Sequence, residues 1–292
     1  MLRTNEHLLP VISAQSFVTE PIVMPLGDAE IGDHGKAHAV PGMGGICYNF
    51  QIGDCCMGLC GEHIEAGVSS KNLKLNANRN RGTNSHACVG NRVKVQSGEA
   101  KGRWGWVTGT HGGAEHVFLH FDSETLDMLC MDDSFLIKTE GYGLKLLDYP
   151  DVMPLAIDPW LLHAMNIEEK DGKLIIPVAK KVPACLMGSG KGRQEPGYTG
   201  DADIITTDKE LTEQYGLNEL RFGDIVMIED FDSSYGRGYH KGAVTIGCII
   251  HGDTYTAGHG PGVTSLLTCK KPIIEGKIDE KANLAYLFGV KE

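Results

Sequence analysis

The sequence has no run approaching the roughly 18 apolar residues that a membrane-spanning helix needs. Its opening, Met1-Leu2-Arg3-Thr4-Asn5-Glu6-His7, lacks the basic-then-apolar order of a secretory leader. These absences predict a soluble protein that stays in the cytoplasm. Positive charge is also short: 27 Lys and Arg face 38 Asp and Glu, a formal net charge of -11. Phosphate backbones and anionic lipid are therefore not attracted, which excludes nucleic acid and membranes as expected partners. Aromatics are few, with 3 Trp, 9 Tyr and 8 Phe in 292 residues, so aliphatic side chains must fill the core. Neither a G-x-x-x-x-G-K-[ST] loop nor a G-x-G-x-x-G turn after a strand occurs, which argues against the common nucleotide folds. The three thiols of Cys55-Cys56-Met57-Gly58-Leu59-Cys60 have no second cysteine pair to complete a structural zinc site. The other six, Cys47, Cys88, Cys130, Cys185, Cys248 and Cys269, sit in or beside apolar runs and read as reduced, mostly buried thiols.

What is abundant is glycine, 38 residues, among short alternating apolar runs such as Arg92-Val93-Lys94-Val95, Phe135-Leu136-Ile137-Lys138 and Ala243 to Ile250. Short strands joined by Gly, Asp and Asn turns follow from that pattern. Two helices have punctuation: a segment from Asp158 and Pro159 to Met165, and Asp208 to Tyr215 between a Thr207/Glu210 capping box and Gly216; a third candidate, Ser123 to Cys130, puts Leu126, Leu129 and Cys130 on one face. The expected fold is α+β and β-dominated, with two Gly-rich, barrel- or sandwich-like domains and few helices. Pro150 and Pro154 interrupt regular structure and place the expected boundary near 150, giving domains 1–150 and 151–292.

Several clusters carry residues capable of chemistry. In Gly61-Glu62-His63-Ile64-Glu65, an extended backbone would put His63 and Glu65 on one face, a set fit to bind a divalent ion or to pair a base with its orienting group. Thr108-Gly109-Thr110-His111-Gly112-Gly113 holds His111 in a glycine loop, and His116 and His120 follow on the polar face of a strand. Asn76 to Cys88 reads as a polar loop whose Arg79 and Arg81 can hold a carboxylate; His86 and Cys88 there raise a weaker Cys/His nucleophile reading. Met187 to Arg193, around Ser189, offers backbone amides and two cations to an anion. Glu229 to His240, with Asp230, Asp232 and Arg237, sits at a strand end, and His251 to Gly262, with His259, joins two apolar strands.

Glu62-His63-Ile64-Glu65, Thr108 to Gly113, Leu186 to Gly190 and Ala257-Gly258-His259-Gly260-Pro261-Gly262 together resemble a prokaryotic domain-of-unknown-function family, number 4438, from about Val23 to Thr268. The family's first motif ends in Pro-Gly where this chain has Ala66-Gly67. The resemblance brings no established activity. A fainter similarity, in the Gly-Asp turns and the Gly-His-Gly loop, is to the acetamidase/formamidase metallohydrolases, and it implies amide chemistry.

The leading expectation is a metal-dependent hydrolase of a small amide or other C–N bond. Glu62, His63 and His111 would hold Zn, Mn or Mg, with Glu65 and Asp230 as catalytic groups. Arg79, Arg81, Ser189, Asp232, Arg237 and His259 would bind the small-molecule substrate. The competing expectation is a non-catalytic small-ligand binder or structural oligomer. A homo-oligomer is expected on general grounds.

Overall fold

The computed structural model describes residues 2–22, 29–32, 34–39, 43–72, 77–190 and 200–292. In the first half, Ile12–Val18 pairs with Ser134–Thr139, which continues through Arg92–Val95, Trp104–His111 and His116–His120 to Gly67–Lys71. Gly67–Lys71 pairs back on the first strand through Phe17↔Lys71 and Val18↔Ser70, so six antiparallel strands close a barrel. Its inward positions are mostly β-branched or Leu: Val18, Val68, Val93, Val95, Val107, Val117, Leu119 and Ile137 form one buried cluster with Phe121 and Phe135. Alternation along each strand dictates this, since every second residue points inside.

The second half is an open half-barrel in the order Lys180–Pro183, Ile225–Asp232, Gly238–Ile249, Gly262–Cys269, Ala202–Ile204, Met187–Gly190. It is buried on both faces. Val226, Ile228, Ile249 and Val263 face one cluster, while Ile225, Val244, Ile246 and Leu267 face another with Leu161, Leu174 and Val178. Double coverage is why Ala243 to Ile250 is buried on both sides, where an alternation with one wet face was expected. The expectation of a β-dominated fold with two strand-rich domains and few helices therefore holds.

Helix caps follow the sequence with one shift. Asp122 accepts from Thr125 N–H and Asp158 from Trp160 N–H; Asp208, not Thr207, caps Lys209–Gln214 by accepting from Leu211 N–H, and Gly216 has the left-handed φ of 63°. Ala77–His86 is a helix where a loop was expected. It carries no apolar stripe to announce itself. Amides fix it instead: Asn80 Oδ1 accepts from Asn72 N–H, and the side chains of Asn80 and Asn84, one turn apart, donate to Glu115 O.

The halves meet along a seam. Val89 N–H donates to Ala156 O, Asn91 Nδ2 donates to Asp158 Oδ2 at 2.7 Å, and Thr110 exchanges bonds with Thr264 Oγ1 at 3.1 and 3.2 Å. Burial pushes the Asp158 carboxyl up to about 6, against the bonds from Asn91 and Trp160 that favour its charge. The native state thus binds this proton at a higher pH than the unfolded chain. That contribution is full below about 4 and lost as pH rises through about 6, a change of about 3 kcal/mol. Urea melts between pH 4 and 7 should show the stability of Asp158→Asn gaining on that of the wild type as pH rises; a constant difference would contradict this.

Candidate metal centre

The site lies on the seam and takes residues from both halves. The Gly61 to Gly67 segment supplies Glu62, His63 and Glu65, but not on an extended backbone: His63 has φ 49°, a left-handed turn. The turn separates the faces expected for His63 and Glu65. Glu62 Oε1 accepts from Tyr255 N–H at 2.7 Å and Oε2 from Thr256 Oγ1 at 3.4 Å, so this carboxylate fastens the His251 to Gly262 loop and stands outside the ligand groups described below.

Glu65 is buried beneath the histidines. His111 Nδ1 lies 2.6 Å from Oε1 and His116 Nδ1 3.0 Å from Oε2; Gly44 N–H donates to Oε2 at 2.9 Å and Ser69 Oγ donates to the same atom. Burial alone would raise its pKa, yet the bonds from His111 and His116 hold it far below the carboxylate range. A carboxylate so low and so fully engaged is a poor general base. It acts as a positioning residue, fixing the Nδ1–H tautomer of His111 and leaving Nε2 a lone pair.

The second half contributes His251, His259, Asp201 and Asp203. The strand Ala202–Ile204 and the residue before it put Asp201 and Asp203 on one face, two positions apart. His251 Nε2 is 3.0 Å from Asp201 Oδ2 and 3.6 Å from Asp203 Oδ1, and His259 Nδ1 is 2.7 Å from Asp203 Oδ2. Asp201 Oδ1 also accepts from Gly112 N–H at 2.8 Å. The rings converge, with centroids 4.6 Å apart for His111 and His251, 4.9 Å for His63 and His251, and 5.3 Å for His63 and His259. Among the described residues, His63/His111/His251, His63/Asp203/His259 and Asp201/Asp203/His251 each bring ligand atoms within 4.8 Å of one another. His251 is fully buried and His259 side-chain exposure is 28%, so the cluster reaches solvent at the His259 end.

Charge is poised around the rings. Burial, then repulsion from His251 and His111, pushes His63 down to about 3, leaving it neutral. Burial also opposes a proton on His251, but the bonds to Asp201 and Asp203 hold its pKa well above the usual value. Its two nitrogens both face acceptors, Gly252 O at 3.0 Å and Asp201 Oδ2, so a neutral ring leaves one of them lone pair to lone pair. A second proton or a metal cation at Nε2 resolves that conflict.

Other expected site residues lie elsewhere. Asp232 pairs across from Gly238 while Ile225 pairs with Cys248, three residues before His251. Asp230 and Asp232 are thus roughly 25–30 Å along the hairpin from the cluster at about 3.3 Å per residue. Asp230 sits at a bulge with φ 53°, accepts from Gly242 N–H at 2.6 Å, and lines a separate groove of about 350 Å³ with Lys173, Lys181, Glu229 and Glu275. Asp232 takes Ser234 N–H and Oγ, and Arg237 is exposed. Arg79 and Arg81 are exposed on the Ala77–His86 helix. Ser189 lies at the rim, its N–H donating to Gly258 O at 2.7 Å beside His259; Lys191, Gly192 and Arg193 of its loop lie outside the described residues. Cys88 is buried with its thiol pushed far up by burial, and His86 is helical and stacked on Tyr142, which removes the nucleophile pairing. None of the ligand groups among the described residues includes a cysteine.

Asp201 and Asp203 went unread in the sequence, although Asp-Ala-Asp after Gly200 is a period-2 signal. His251 stood within a noted run but was not singled out.

Comparisons with known proteins agree with the resemblance. The family model described as Domain of unknown function (DUF4438), N-terminal matches residues 29–163, and Domain of unknown function (DUF4438), C-terminal matches 164–288. The crystal structure of TM1086 is similar with TM-score 0.91 and 40% identity, over 97% of this chain and 98% of that chain. No curated protein matches. The similarity to acetamidase/formamidase is not shown by these comparisons.

Proposed function

We propose that this chain, which belongs to the DUF4438 family, binds a divalent metal ion in the histidine–aspartate cluster and uses it to hydrolyse a C–N bond in a small substrate. One observation carries the reading: buried ligand atoms from His63, His111 and His251, drawn from three separate segments, lie within 4.8 Å of one another. Burying that many imidazoles beside two carboxylates is costly without positive charge between them, and a metal ion supplies it in place of the second proton on His251. Glu65 behind His111 supplies the second layer of bonds that metal-binding histidines usually have. Imidazole donors suit zinc and its first-row neighbours better than magnesium.

A bound ion would lower the pKa of its water towards about 7, which supplies the nucleophile for hydrolysis. The partly exposed His259 end offers substrate a way in. Glu65 would hold His111 rather than take the water's proton.

The test is elemental mass spectrometry of protein purified without a histidine tag. Wild type should retain at least one zinc, manganese or similar ion per chain, and His63→Ala, His111→Ala and His251→Ala should each lose most of it. Folded wild type that stays metal-free after incubation with zinc or manganese would overturn the reading. Ammonia release from a panel of small amides, compared before and after chelation, then tests the hydrolase step.

A further inference from the structure

We infer that the cluster is a two-ion site bridged by the carboxylate of Asp203. This deepens the metal reading above and rests on it. Of the three ligand groups, His63/Asp203/His259 and Asp201/Asp203/His251 have one residue in common, Asp203. Its two oxygens are divided between them: Oδ2 stands 2.7 Å from His259 Nδ1, and Oδ1 faces His251 Nε2 at 3.6 Å. A carboxylate with each oxygen turned to a different set of nitrogens has the arrangement that spans two ions about 3.5–4 Å apart in two-metal sites.

The strand explains how Asp203 comes to lie between the groups. Asp203 pairs with Gly262, the residue that ends the His251 to Gly262 loop, so one histidine near each end of that loop reaches the same carboxylate. Asp201, on the same face, completes the inner group through Oδ2 at 3.0 Å from His251 Nε2. His63 Nε2, 3.3 Å from His259 Nδ1, completes the outer one. His111 stands beside the inner group, its ring centroid 4.6 Å from that of His251. The outer ion therefore has His63, His259 and Asp203 Oδ2, and the inner one has Asp201, His251, His111 and Asp203 Oδ1. The outer set, with three protein ligands, leaves a position for water, and the carboxylates of Asp201 and Asp203, with Glu65 behind His111, offset much of the added positive charge.

The experiment loads the full-length protein with Mn(II), removes loose ion by gel filtration, and reads stoichiometry by elemental mass spectrometry with the Mn(II) electron paramagnetic resonance spectrum. Two ions per chain with an exchange-coupled spectrum are expected. In His259→Ala, a change at the solvent edge that spares the buried core, the content should fall from two to one and the coupling should vanish. Asp203→Asn should also lose the coupling. One ion per chain in the wild type with an isolated six-line spectrum, or two ions without coupling, would overturn the bridge while leaving the metal reading intact. No retained ion would overturn both.

Discussion

A Glu65→Ala variant should melt roughly 6–10 °C below the wild type and fail to retain metal. Four donors converge on this one buried carboxylate: His111, His116, Gly44 N–H and Ser69 Oγ. Removing it leaves them facing a cavity, and breaking a buried, hydrogen-bonded charge cluster costs on the order of 3–5 kcal/mol. At about 2 °C per kcal/mol for a chain of this size, that gives the stated shift. Glu65→Gln keeps the shape but turns an NH2 group towards a donor, so it should fall between the two. Calorimetry of the three proteins checks this. A Glu65→Ala melt within 2 °C of wild type, with metal retained, would mean that the orientation of His111 does not depend on the carboxylate.

The second large effect should come from one methyl group. A Cβ at Gly262 would stand 2.5 Å from Asp201 Oδ2 and closer still to His251 Nε2, so alanine there must push the ring and carboxylate apart. Gly262 lies in a strand and its backbone is open to any residue, which confines the damage to the contact itself. Overpacking of this kind costs about 1–3 kcal/mol. The larger effect should be on metal content, expected to fall at least tenfold. Gly113 is the control, because a Cβ there meets nothing within 4 Å, and Gly113→Ala should leave stability within about 0.5 kcal/mol and metal content unchanged. Dialysis against radioactive zinc, followed by counting, compares the three. Equal retention in Gly262→Ala would show that His251 and Asp201 need not touch to hold the ion.

Much of the scaffold was legible in the sequence because its signals are local. Alternation marked the strands of both halves, and Asp158 and Gly216 marked helix ends with a single residue's chemistry. Ala77–His86 was not legible, since asparagine bonds to distant backbone rather than an apolar stripe fix it. The site was half visible. His63, His111 and His259 stand in glycine-rich runs that advertise close backbone approach. Asp201 and Asp203 become a pair only when their strand docks against Gly262–Cys269, a long-range event with little local mark. Asp230 misled for the converse reason: a carboxylate at a strand end has the right chemistry, but the hairpin carries it to the opposite end of the sheet.

The seam that joins the halves also orders events during synthesis. Ile12–Val18 cannot close the barrel until Ser134–Thr139 exists, so the first half waits for more than a hundred residues of chain. His63 and His259 are 196 residues apart, which at about 5–20 residues per second separates their emergence from the ribosome by roughly 10–40 s. For most of that interval, until Asp201 and Asp203 emerge, the first histidines have no carboxylate partners from the second half. The cluster is therefore among the last features to form, and its completion reports that both halves have folded and docked.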